Sequence, residues 1–137
     1  MWKAIILMGI LDAFREKHGS LKYYKKRLEE YREHEADTLI DMGVIYLEDE
    51  KIPEALEKFK DALKLYQKLQ FTEGEAYTQN LIGDTYLTSR NLEESLKHYQ
   101  ESFKLYTSIR SPLKNELLEK IKDTEKAKKA MEIADKS

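Results

Sequence analysis

The chain repeats itself every 40 residues, and that period leaves few folds open. Sliding the 137-residue sequence against itself by 40 sets Ala36 on Ala76, Thr38 on Thr78, Gly43 on Gly83, Tyr46 on Tyr86 and Leu47 on Leu87. Further on, Glu54, Leu56, Lys64, Leu65 and Tyr66 fall on Glu94, Leu96, Lys104, Leu105 and Tyr106, ten identities in the 35 pairs from 36–70 and 76–110. Conservative pairs fill the gaps, among them Ile52 with Leu92, Ala55 with Ser95, Phe59 with Tyr99, Ala62 with Ser102 and Leu63 with Phe103. Most matches are small, aromatic or aliphatic, so what repeats is a packing shape. A period of this length marks supersecondary units that bury their apolar faces by stacking on one another.

Each unit reads as two helices. Leu39, Met42, Gly43, Tyr46 and Leu47 recur at helical spacing, as do Ile82, Gly83, Tyr86 and Leu87. The second helix of each unit carries Leu56, Phe59, Leu63, Tyr66 and Leu69, then Leu96, Tyr99, Phe103, Tyr106 and Ile109. Pro53 suits a first helical turn, where its missing N–H costs nothing. Asn91 reads as an N-cap ahead of Glu93 and Glu94, and Thr72 with Glu75 has capping-box spacing. Only five Gly and two Pro argue against an all-β chain. Gly43 and Gly83 sit inside helices, where glycine costs roughly 1 kcal/mol relative to alanine. A costly residue repeated in register predicts close approach of the paired helix, at Ala55 and Ser95 or at Phe59 and Tyr99.

This pattern resembles the tetratricopeptide repeat family. The family's small-x-x-Tyr element stands as Gly43-Val44-Ile45-Tyr46 and Gly83-Asp84-Thr85-Tyr86. Its Ala-x3-aromatic element stands as Ala55-Leu56-Glu57-Lys58-Phe59 and, with Ser for Ala, as Ser95-Leu96-Lys97-His98-Tyr99. The period is 40 rather than 34, which resembles the long-repeat branch seen in cell-polarity adaptors, kinesin light chains and bacterial peptide-responsive regulators. The family's Trp early in the first helix is Leu39 and Gln79 here, and its terminal Pro appears only after the second unit, as Pro112. The resemblance implies an all-α fold, an α-solenoid of antiparallel helix hairpins. It divides one domain into a degenerate helical unit at 1–35, repeats at 36–75 and 76–111, and a capping helix at 112–137.

The flanks are less regular. Ser20, Leu21, Tyr24, Leu28 and Tyr31 align with Ala55, Leu56, Phe59, Leu63 and Tyr66, with Gly19-Ser20 as a turn, but the spacing onward is five residues short. No breaker lies between Leu21 and Glu50, so one long helix over 21–49 is the alternative. It would leave its first half without a local partner and favour a swapped dimer. The apolar run Ala4–Leu11 is eight residues, where a spanning helix needs about twenty. It leads into Asp12-Ala13-Phe14-Arg15 without a small-residue cleavage site, so the expectation is a cytoplasmic chain with no membrane contact. Its Trp2, Ile5 and Ile6 form either one packed face or a surface for self-association, as in a homodimer. At the other end, Leu113, Leu117, Ile121, Thr124, Met131 and Ala134 make a narrow apolar stripe, which suits a helix that caps a stack and turns a polar face outward.

Chemistry finds few candidates. With no Cys there is no disulfide scaffold, thiol nucleophile or thiolate metal site. His18, His34 and His98 are scattered, and neither a phosphate-binding glycine loop nor a serine-nucleophile motif is present. Glu30, His34 and Asp37 share a face only if 21–49 is one helix, and they read better as a surface charge network than as a metal site. No enzyme, metal or cofactor is expected. Lys22, Lys25, Lys26 and Arg27 with Tyr23 and Tyr24 form a short basic-aromatic run, but Glu29, Glu30, Glu33 and Glu35 follow at once. This is a charged helix face rather than a nucleic-acid grip.

The net charge of −2 is a cancellation: residues 1–35 carry +2, 36–110 carry −5 and 111–137 carry +1. In a stack of the kind the resemblance implies, the first helices line an inner groove. The residues facing a ligand would be Asp37, Ile40, Asp41, Val44 and Glu48, then Tyr77, Asn80, Leu81, Asp84 and Thr88. Some family members grip a C-terminal carboxylate there with Lys, Arg and Asn. Here the places hold Asp, Ile, Val and Leu, with Asn80 the one amide, which argues against a carboxylate clamp and against binding of Hsp70 or Hsp90 tails. The expectation is a non-catalytic protein–protein interaction module whose acidic groove takes a peptide or helix with basic and apolar side chains. The alternative is a self-associating structural protein that uses its N-terminal helix.

Overall fold

The computed structural model describes the backbone of residues 1–137 and every side chain except those of Lys17 and His18. The histidine considered at 18 therefore lies outside the described side chains. The described residues form six helices and no strand: α1 (Trp2–His18), α2 (Leu21–Glu48), α3 (Ile52–Leu69), α4 (Thr72–Thr88), α5 (Leu92–Ser108) and α6 (Lys114–Asp135). They fall into two compact units, residues 1–32 and residues 33–137.

In the first unit, Gly19 takes the left-handed φ of 75° and returns its N–H to Arg15 O at 2.8 Å. Ser20 then accepts from the Tyr23 N–H, starting α2. Every described side chain from 1 to 32 is exposed. The choice left open over 21–49 resolves to one helix, because α2 runs unbroken from Leu21 to Glu48.

The second unit is a run of antiparallel helical hairpins, the all-α solenoid architecture. Two buried clusters hold it. Ala36, Ile40, Ala55, Phe59, Ala62, Tyr66 and Ile82 form the first, and Ala76, Leu96, Tyr99, Tyr106, Leu117 and Ile121 the second. Ile82 belongs to α4 yet sits in the first cluster, so consecutive hairpins share core. On α6, Leu117, Ile121 and Thr124 are buried, whereas Met131, Ala134 and the N-cap residue Leu113 are exposed, so the capping stripe packs through its middle only.

The helical glycines mark ring-to-backbone contacts. A Cβ on Gly43 would lie 2.5 Å from the Phe59 ring, and one on Gly83 would lie 2.5 Å from the Tyr99 ring. The close approach is therefore at the aromatic positions. Gly74 repeats the device between hairpins, its Cβ position 2.6 Å from the Tyr66 ring.

The turns are as regular as the core. Glu50, Gln70, Arg90 and Arg110 all adopt a left-handed backbone, with φ between 54° and 61°. At each, the next N–H returns to a tyrosine carbonyl five residues back: Lys51 to Tyr46, Phe71 to Tyr66, Asn91 to Tyr86 and Ser111 to Tyr106, at 2.8–3.0 Å. The left-handed residue itself donates three residues back, to Leu47, Gln67, Leu87 and Thr107. This pair of bonds is the Schellman closure, which satisfies carbonyls that a helix end leaves open. At the starts, Asn91 caps α5 by accepting from the Glu94 N–H at 3.2 Å, and Pro53 lies in the first turn of α3. Thr72 does not form a capping box, because α4 begins one residue earlier than that box requires and Phe71 takes the N-cap place.

Two stability predictions follow from the packing. Gly83→Ala and Gly43→Ala should each lose about 1–3 kcal/mol by forcing the facing ring to move, seen as a lower midpoint in urea. Ser95 replaces Ala55 and its buried Oγ has no hydrogen-bond partner among the described residues. Ser95→Ala should therefore gain about 1 kcal/mol, and an unchanged or lower midpoint would contradict this account.

Candidate functional site

The first helices of the two repeats present the residues singled out for a groove, all within the second unit. Asp37, Asp41 and Glu48 on α2 are exposed, Val44 is half-buried, and Ile40 is only 6% exposed within the first core cluster. On α4, Tyr77 and Thr88 are exposed, Leu81 and Asp84 are half-buried, and Asn80 is buried. Ile40 thus supports the hairpin from inside and offers a ligand little surface.

The acids on this face are not equivalent. Asp37 accepts from the Tyr66 hydroxyl at 2.5 Å. Asp84 accepts from the Tyr99 hydroxyl at 2.5 Å and from Lys120 Nζ at 2.9 and 3.1 Å. The same ammonium reaches Asn80 Oδ1 at 2.9 Å and stands 5.5 Å from the centre of the Tyr99 ring. Lys120, on α6, therefore neutralises the acid that the sequence reading assigned to a ligand. Asp41 and Glu48 have no ion-pair or hydrogen-bond partner among the described residues.

Burial and these bonds shape the tyrosines. Both Tyr66 and Tyr99 have phenol pKa values well above the ordinary range, first because they are buried and then because each donates to a carboxylate. Burial, with Glu73, Tyr77 and Glu116 nearby, pushes Tyr106 up to about 12. Tyr77 is 44% exposed, and its charge when ionised would raise both Tyr66 and Tyr106. Glu33 and Asp37 bear on Tyr66 as Glu73 and Glu116 bear on Tyr106. Of these tyrosines only Tyr77 is exposed, and the others are core residues whose surroundings include carboxylates.

A second polar contact joins α4 to α5. His98 Nδ1 is 2.6 Å from Gln79 Oε1, and its ring stacks on Tyr86 at 5.5 Å. Burial lowers the His98 pKa, opposed by Glu94 at 3.8 Å. Sequence reading missed this contact and the Lys120 one, since neither pair shares a motif.

The self-association candidates Trp2, Ile5 and Ile6, in the first unit, are 82%, 65% and 57% exposed. Among the described side chains, no group of three His, Asp or Glu is placed to hold a metal ion, and no helix is long and apolar enough to cross a membrane.

Two outcomes are expected from these contacts. Lys120→Met should lower stability by about 1–2 kcal/mol, because Asp84 would keep only the Tyr99 hydroxyl. The lowered His98 pKa means the unfolded chain binds the proton more tightly. Its contribution is thus fully present above about pH 6.5 and is lost as pH falls through the folded value. His98→Gln should flatten the fall in melting temperature between pH 7 and pH 5, and equal slopes would exclude His98 as its source.

No curated protein matches the chain. A family model described as tetratricopeptide repeat matches residues 36–108, the stretch from the first turn-by-turn match on α2 to the end of α5. With the two hairpins, their ring-on-glycine contacts and this match over more than half its length, the chain belongs to the tetratricopeptide repeat family.

Proposed function

We propose that the chain is a non-catalytic protein–protein interaction module that holds a peptide or helix of a partner against α2 and α4. Family membership supports the general role. The observation that supports the partner's chemistry is the pair Asp41 and Glu48, exposed acids with no partner among the described residues, on the same helix as half-buried Val44, with half-buried Leu81 and exposed Tyr77 on α4. Carboxylates beside apolar and aromatic surface suit Lys or Arg side chains interleaved with aliphatic ones, through charge attraction and cation–π contact. Asp84 contributes less than its neighbours because Lys120 already occupies it.

The exposed Trp2, Ile5 and Ile6 favour a second reading, self-association of a structural protein through α1.

Fluorescence anisotropy with short peptides tests the first reading. Peptides alternating Lys or Arg with Leu should bind and weaken with added salt. Asp41→Lys/Glu48→Lys should cost about tenfold in affinity, equivalent to about 1.4 kcal/mol. Stronger binding of acidic than of basic peptides to the wild type would reverse the polarity assigned here.

A further inference from the structure

The 40-residue register shows an interface filled in one repeat and bare in the other. Thr78, Ile82 and Thr85 of α4 are fully buried, and Ile82 lies in one cluster with Phe59, Ala62 and Tyr66 of the preceding helix. One register earlier stand Thr38, Met42 and Ile45 of α2. Met42 is 39% and Ile45 59% exposed, and Thr38 is exposed as well. The same face is covered in the second repeat and open in the first.

The chain also carries a segment shaped like what covers that face elsewhere. At a shift of 35, Leu21, Tyr24, Leu28 and Tyr31 correspond to Leu56, Phe59, Leu63 and Tyr66 of α3. They are 71%, 44%, 49% and 57% exposed. The five residues lost between a shift of 40 and one of 35 are those a turn needs. Helix α3 ends at Leu69 and α4 begins at Thr72. Transposed by 35 and 40, the earlier helix would end at 34 and the next begin at 32, which leaves no residue for a reversal. The two run together as α2, which has no break between Leu21 and Glu48.

We propose that Tyr24, Leu28 and Tyr31 of one copy of this chain cover Thr38, Met42 and Ile45 of a second copy, and reciprocally, in a two-fold swapped dimer. The occupant has the chemistry of the repeat contact already present between α3 and α4, and a shortened hinge is the established route to such exchange. The contact is independent of the peptide-binding reading and differs from self-association through Trp2, Ile5 and Ile6.

Sedimentation equilibrium of the full chain over a wide concentration range tests it. The wild type should have twice the 16.2 kDa chain mass. Met42→Lys/Ile45→Lys and Tyr24→Lys/Leu28→Lys should each be monomeric, with unchanged far-ultraviolet circular dichroism, since all four positions are exposed in the single chain. Mixing the two variants should restore a weaker dimer, because the intact segment of one meets the intact face of the other. If the lysine pair at 42 and 45 unfolds the chain, Met42→Gln/Ile45→Thr takes its place. A monomeric wild type overturns the proposal. So does a dimer that survives substitution at 42 and 45, which would place the contact in the N-terminal helices alone, and so does a mixture that stays monomeric.

Discussion

An aromatic ring pressed onto a glycine backbone is the contact on which the rest of this fold depends. Phe59 on Gly43 and Tyr99 on Gly83 bring the two helices of each hairpin close, and Tyr66 on Gly74 brings one hairpin close to the next. A glycine inside a helix costs roughly 1 kcal/mol. The return is a buried ring, and burial of a large aromatic is among the strongest apolar terms a small domain can collect. The same rings also orient polar groups. The Tyr99 hydroxyl reaches Asp84, and the Tyr66 hydroxyl reaches Asp37. Core packing and the polarity of the exposed face are therefore set by the same side chains.

The cation from α6 changes what the acidic face offers. Counting charge along the repeats places several acids on α2 and α4, but Lys120 pairs with Asp84 and Asn80, so the acids with no partner among the described residues, Asp41 and Glu48, lie on α2. A helix that closes a stack thus does two things at once: Leu117 and Ile121 bury apolar surface, and Lys120 reaches across to the preceding first helix. The free acids, Asp41 and Glu48, are those farther along the chain from this cap.

What the sequence made legible follows from how each feature is encoded. The hairpins and the ring-on-glycine contacts were readable because small and aromatic residues recur in register and glycine inside a helix demands a reason. The helix ends were not, because Glu50, Gln70, Arg90 and Arg110 adopt the left-handed backbone without being glycine. The usual signal for such a closure is glycine itself. Thr72 and Glu75 had the spacing of a cap, yet the Schellman closure after Gln70 hands the N-cap place to Phe71. The polar pairing of α4 was not legible. Lys120 lies 36 residues from Asp84, and nothing in either local sequence points to the other. Ile40 shares the helix of exposed Asp37 and Asp41 yet is buried in the first cluster, since one helix position separates an exposed side chain from a core one.

The four tyrosine-closed turns recur at intervals of 20 residues, half the sequence period. As local structures, then, all four helix ends are interchangeable, and the 40-residue period arises only from what the helices bury. A chain lengthened by one such 20-residue piece would keep good turns throughout yet exchange the first and second helices of every hairpin beyond it. Growth in steps of 40 preserves which residues each helix buries, so an array built on this ruler can gain length without altering its packing only by adding helices in pairs.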